Sequence, residues 1–160
     1  MPEPPGSHDH LRVGVGGPVV IYADFECPRC ALAYERLSAS GVQLGLRHFP
    51  IRSRHPRAMA AACASEAAAS QGRFWEMADA MFRDQGRLDD PHLWAIAESL
   101  GIDVDAFDAE RRSAEVTTRI QDGLRLAVRE GVIASPTLLA GGELHQGVPD
   151  SSWIAAQVPG

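Results

Sequence analysis

Residues 18–23, Pro-Val-Val-Ile-Tyr-Ala, form an apolar run without polar alternation. Such a run fits a strand buried on both faces, as at the centre of a parallel sheet. From Cys30 the apolar positions Ala33, Tyr34 and Leu37 recur at helical spacing, and Gly41 supplies a stop. Val42, Leu44 and Leu46 then alternate with Gln43, Gly45 and Arg47 up to Pro50, which is the period of a second strand. Strand, helix and strand over this length predict a right-handed βαβ unit.

Residues 56 to about 130 carry helical spacing almost throughout. Pro56 suits the first position of an Ala-rich helix that closes near Gly72. Phe74, Met77, Ala78 and Met81 make the next stripe, which closes near Gly86. Asp90-Pro91 reads as a cap plus a first-position proline, and Gly101 ends that helix. Asp103 opens a short helix through Phe107, and Val116, Ile120, Leu124 and Ala127 mark a long one ending near Gly131. Residues 137–140 and 143–146 flank Gly141-Gly142 as two short strands of a hairpin. Asp150 caps a final helix carrying Trp153, Ile154 and Val158. Four segments follow: a flexible tail over 1–12, rich in Pro, Gly, His and charge; a βαβ half over 13–54; a helical insertion over 55–130; and a ββα half over 131–160.

A chain of 160 residues is long enough for one domain with a proper core. Its net charge is -6, with no basic block, which argues against nucleic acid or an anionic membrane as partner. Every basic residue is Arg, so no lysine serves as a base or Schiff-base former. The Met-Pro-Glu-Pro-Pro-Gly start lacks the charge and apolar run of a secretory signal. The apolar stretch 19–23 is too short to span a bilayer. The expected compartment is the reducing cytoplasm, where three cysteines do not make a disulfide framework.

Two of those cysteines form Cys27-Pro28-Arg29-Cys30, just after the buried strand and at the opening of a helix. With Cys27 as the cap, Pro28 takes the first helical position, where a missing N–H costs nothing. The N–H groups of Arg29 and Cys30 then point at the Cys27 sulfur, and with the helix dipole they favour a thiolate. Arg29 adds a positive charge, whereas Glu26 penalises the thiolate. Cys30 lies one turn deeper on the apolar stripe. An exposed attacking sulfur and a shielded resolving sulfur are what disulfide exchange requires. The competing reading is half a zinc site, but a second pair is missing, with only Cys63, His48 and His55 scattered elsewhere, so no metal is expected. Cys63 shares a helix face with Met59 and Ala62 and reads as a buried, inert thiol. His48 and His55 read as structural, and Trp75, Trp94 and Trp153 as core.

Several segments together resemble the DsbA-like branch of the thioredoxin superfamily over about residues 10–158. They are Asp24-Phe-Glu-Cys-Pro-Arg-Cys30, Arg47-His-Phe-Pro50, His55-Pro56 with its Ala-rich run, Gly72-Arg-Phe-Trp-Glu-Met77 and Ser135-Pro136-Thr137. The resemblance implies an α/β thioredoxin fold, βαβ then ββα, interrupted by an all-helical subdomain. It implies a thiol–disulfide oxidoreductase with Cys27 as nucleophile and Cys30 as resolving thiol, without cofactor. Ser135, Pro136 and Thr137 correspond to the family's cis-proline loop, which faces the pair and binds substrate. Protein or low-molecular-weight thiols and disulfides are the implied substrates, together with a redox partner. Two departures stand out. Residues 19–23 contain no acid beneath the cysteines, Asp24 being the nearest, and Ser135 stands where Thr or Val is more usual. Two other functions suit the scaffold: a thiol-transferase or isomerase, which generally works with a bound thiol cofactor and does not need two cysteines, and a redox-sensing interaction module.

Overall fold

The computed structural model describes residues 2–6 and 9–159. Five strands form one sheet: β1 (His10–Arg12), β2 (Val15–Ala23), β3 (Val42–His48), β4 (Thr137–Ala140) and β5 (Glu143–Gln146), in the spatial order β1-β3-β2-β4-β5. β2 and β3 run parallel, joined by α1 (Pro28–Ser40), and the remaining pairs are antiparallel. Between β3 and β4 come α2 (Ala58–Ala69), α3 (Phe74–Arg83), α4 (Asp90–Ser99), α5 (Val104–Arg111) and α6 (Ala114–Arg129), and α7 (Ser151–Gln157) follows β5. This is the α/β thioredoxin fold with an all-helical insertion that the sequence pattern and the resemblance led us to expect.

The lack of alternation in β2 has a direct cause. Val19 and Ile21 pack on one face with Ala33 and Leu37 of α1 and with Ala61 and Ala64 of α2. Val20 and Tyr22 pack on the other with Leu139, Ala127 and Val132. The strand is central, and both faces are dry. Local signals also hold where they are short-range. Gly41 ends α1 in the left-handed region at φ 75, and Gly141 and Gly142, at φ 57 and 80, form the primed turn between β4 and β5. The side chains of Asp103, Ser113 and Asp150 cap α5, α6 and α7 through the N–H groups of Ala106, Val116 and Trp153.

Other boundaries differ from those the sequence predicts. α2 starts at Ala58 rather than Pro56, and the Glu26 carboxylate accepts the Arg57 N–H there at 2.8 Å. α4 is capped at Asp89, which makes Pro91 its second residue. β2 begins earlier than expected, with a register shift between Val15 and Val19 and Gly16 at φ 81. Residues 10–12, expected in a flexible tail, pair with β3. Arg47 fastens the tail by donating to Asp9 at 2.9 Å and to the Glu3 carbonyl at 3.1 Å. Met1, Ser7 and His8 of that expected tail lie outside the described residues. Trp94 is 39% exposed and not core; its indole N–H donates to Asp108. Among the described residues no helix is long and apolar enough to cross a membrane.

Candidate active site

The carboxyl end of β2 delivers the chain into α1, and both cysteines sit at that junction. Cys27 is the cap residue, at φ -80 and ψ 119, and Pro28 holds the first helical position. The Cys30 N–H donates to Cys27 Sγ at 3.4 Å. The Asp24 N–H donates to Cys30 Sγ at 3.5 Å, and the Cys27 N–H donates to the Asp24 carbonyl at 3.1 Å. The two thiols are not joined as a disulfide.

Cys30 is fully buried, as its place on the apolar stripe predicts. Cys27 is 7% exposed, which corrects the expectation of an open sulfur. The cover comes from the far end of the chain. β4 pairs with β2, Tyr22 opposite Thr137, and carries residues 134–137 over the helix start. The Ser135 carbonyl lies 3.9 Å from Cys27 Sγ, and the Ser135–Pro136 peptide is cis. The Thr137 hydroxyl donates to the Ala134 carbonyl at 2.6 Å, and the Pro136 carbonyl accepts the Gly147 N–H at 2.9 Å. The Ser135 hydroxyl is buried without a protein partner among the described residues. Ser135 is therefore brought to Cys27, while Pro136 and Thr137 bond Gly147 and Ala134.

The electrostatics separate the two thiols. The hydrogen bond from the Cys30 thiol, followed by the N–H groups of Cys30 and Arg29, draws Cys27 from an ordinary 9.0 to about 6, against burial and the charge of Asp24. The same bond to Cys27, with burial, pushes Cys30 far above its ordinary value. Two sequence assignments change in detail. Arg29 acts on Cys27 through its backbone N–H, while its guanidinium reaches toward Gly147. Glu26 turns away to Arg57, and the acid that opposes the thiolate is Asp24.

Sequence reasoning underrated Asp24. It is 1% exposed, and its carboxylate accepts the N–H groups of Glu26 and Ile51 and the His55 Nδ1–H, each at 2.8 Å. An acid ending an apolar strand is the signal that marked it. His48 shares Glu66 with His10, at 2.9 and 2.8 Å, while His55 bonds Asp24, so His48 and His55 are each fixed by a carboxylate remote in sequence. Gln85 was missed altogether: its amide donates to the Phe25 and Cys27 carbonyls at 2.8 and 2.9 Å. Nothing local in the sequence distinguishes it.

Cys63 is apart from the pair. It is 3% exposed, faces Thr117 of α6, and burial pushes its thiol up. Among the described residues no group of three or more His, Cys, Asp or Glu is placed to hold a metal. A cavity of about 420 Å³ lies between the tail, β3 and α6, lined by Tyr22, Arg47, Arg119 and Glu130, and it contains neither cysteine of the pair.

The description of the DSBA-like thioredoxin domain matches residues 18–157. The chain belongs to this family, the class that the fold and the paired cysteines define. A thioredoxin-like oxidoreductase from Silicibacter pomeroyi DSS-3 superposes with a TM-score of 0.82 at 23% identity, over 95% of this chain and 91% of that one. Wolbachia pipientis alpha-DsbA1 does so with a TM-score of 0.78 at 21% identity, over 96% and 90%. At these identities the likeness is one of fold. A Mycolicibacterium vanbaalenii protein named Na(+)/H(+) antiporter NhaA 1 is 38% identical over 154 residues, 90% of this chain and 25% of that protein. The chain spans about a quarter of the length of the curated relatives it matches.

Proposed function

We propose that the chain exchanges disulfides through Cys27 as nucleophile and Cys30 as resolving thiol, with residues 135–137 receiving the substrate. The observation that carries this reading is the asymmetry of the pair. Cys27 caps α1 and titrates at about 6, while Cys30 is dry and pushed far up. At neutral pH the first sulfur is a thiolate and the second a thiol, which orders the two steps.

In the first step Cys27 Sγ attacks one sulfur of a substrate disulfide. That S–S bond breaks, and the other substrate sulfur leaves as a thiolate. Cys27 now carries a mixed disulfide and no charge. The leading cause of the raised Cys30 value, its bond to the Cys27 sulfur, is thereby removed. Cys30 then gives its proton to the departing thiolate or to water and attacks Cys27 Sγ. The second substrate thiolate is expelled, and two electrons have passed to the substrate. Reversal of both steps oxidises a dithiol. Protein or low-molecular-weight disulfides are the proposed substrates, and a separate thiol or disulfide partner resets the pair.

The curated relatives are named as antiporters, but the stretch they share with this chain is its thioredoxin-like part, so the proposed chemistry is thiol exchange and not ion transport. The test is a trapping experiment. With Cys30→Ser, glutathione disulfide or oxidised insulin should accumulate as a mixed disulfide on Cys27, and Cys27→Ser should abolish turnover. In the wild-type dithiol, alkylation of Cys27 should rise with a midpoint near pH 6, about a thousandfold more acidic than the ordinary thiol at 9.0. Preferred labelling of Cys30, or exchange that survives loss of Cys27, overturns the assignment.

A further inference from the structure

Asp24 has more partners than the end of a strand requires. Oδ1 accepts the Glu26 N–H, and Oδ2 accepts both the Ile51 N–H and the His55 Nδ1–H, all at 2.8 Å. Its backbone touches both cysteines, the N–H on Cys30 Sγ and the carbonyl on the Cys27 N–H. The Asp24 side chain is 0% exposed, whereas that of His55 is 22% exposed. The imidazole is thus the buried carboxylate's link to solvent. A bare carboxylate beside Cys27 works against its thiolate, and a protonated imidazole on that carboxylate cancels the effect.

We propose that His55, acting through Asp24, is a positioning residue that couples the reactivity of Cys27 to pH, favouring the thiolate while His55 holds its proton and disfavouring it once that proton is lost. This rests on the reading of Cys27 as nucleophile. The other charged and titratable groups of the adjoining elements are already engaged or point outward. The β2–α1 junction brings Cys27, Cys30, Glu26, bonded to Arg57, and Arg29, which is exposed with its guanidinium toward Gly147. The turn after β3 brings Arg52, Arg54 and Arg57, all exposed. β3 and α2 bring His48 and Glu66, bonded to each other. The connection from α3 to α4 brings Gln85, an uncharged donor, and Asp89, paired with His92. Among the described residues His55 is the one titratable side chain that bonds the Asp24 carboxylate.

The sign follows from that placement. Loss of the imidazole proton restores an uncancelled negative charge beside Cys27, so the thiol becomes harder to ionise as His55 empties. The two protons therefore leave over a wider pH range than one independent thiol would show.

The test uses the full chain carrying Cys63→Ala. Cys27 ionisation is followed by thiolate absorbance and by site-resolved alkylation rates across the histidine and thiol ranges. The wild-type residue pair should give a broadened curve. His55→Gln, which keeps an N–H donor but not the charge, should give a single-group curve with a higher midpoint, the ionisation constant falling on the order of threefold. Asp24→Asn should move the midpoint the other way, and adding His55→Gln to it should shift the midpoint less than it does in the wild type, because the imidazole has lost its carboxylate anchor. If Asp24→Asn fails to fold, as judged by circular dichroism, His55→Gln decides alone. A His55→Gln curve superimposable on the wild-type one overturns the coupling. If exchange activity is intact in that case, the nucleophile assignment stands; if wild-type Cys27 is not the labelled thiol, that assignment falls and the coupling with it.

Discussion

The acidity of Cys27 comes from hydrogen bonds before it comes from charge. The Cys30 thiol and the N–H groups of Cys30 and Arg29 all point at its sulfur, an arrangement set by its cap position. This much was legible in the spacing of the pair and in Pro28. The charged neighbours were not: Glu26 and Arg29 looked like opposing tuners, yet the structure turns one to Arg57 and the other toward Gly147. Side chains of that length choose partners by what the fold brings within reach. Cys63 is the contrasting thiol, enclosed by Met59, Val116 and Ile120 with its value pushed up. Cys63→Ala should leave disulfide exchange within about twofold of wild type and lower stability by about 1 kcal/mol through lost packing. Turnover of glutathione disulfide together with a urea transition checks both halves, and a large loss of turnover in a folded protein would assign the third thiol to the mechanism.

Among the elements, β3 shows how a correct period conceals a specific demand. Alternation placed Gly45 with the polar positions Gln43 and Arg47. In the sheet Gly45 is buried where β1 and β2 flank β3. A Cβ there would lie 2.9 Å from Leu11 Cδ2 and 3.3 Å from both the His10 carbonyl and Val20 Cγ2. Gly45→Ala should therefore destabilise the fold by about 1–3 kcal/mol, the usual range for overpacking. Chemical denaturation measures it; an unchanged midpoint would mean that β1 gives way freely, and that the edge strand contributes little. β1 itself went unseen in the sequence because three residues, His10, Leu11 and Arg12, are too few to show a period.

The sheet and the helical insertion are tied at the scale of the whole molecule by Glu66. This residue of α2 accepts hydrogen bonds from His10 of β1 and His48 of β3. Burial works against the carboxylate, but the two imidazoles hold it well below its ordinary value of 4.5. A carboxylate whose value falls on folding stabilises the protein fully above that ordinary value, and the contribution is lost as pH drops below it. Stability should therefore decline as pH falls through the region under 4.5, and Glu66→Gln should flatten that decline while costing about 2–3 kcal/mol near neutrality. Urea midpoints recorded against pH for both proteins decide it. Parallel curves would show that the carboxylate's charge does not hold the two layers together.

What the sequence determined was whatever depends on spacing within one element. The dry centre of the sheet followed from residues 19–23, the helix stripes from their period, and the primed hairpin from Gly141-Gly142. The pairing of a capping Cys27 with a deeper Cys30 needed only three residues of separation and a helix start. The tertiary structure alone decided which surfaces meet. The Ser135 carbonyl covers Cys27 from 108 positions away, Gln85 reaches the same turn from the insertion, and Asp24 meets His55 across the end of β3. Such contacts leave no periodic trace, because they are fixed by how complete elements pack. For the same reason the chain could declare its reactive pair and name Asp24 and Ser135 near it, while the partners of that acid and the depth of that cover were decided by packing.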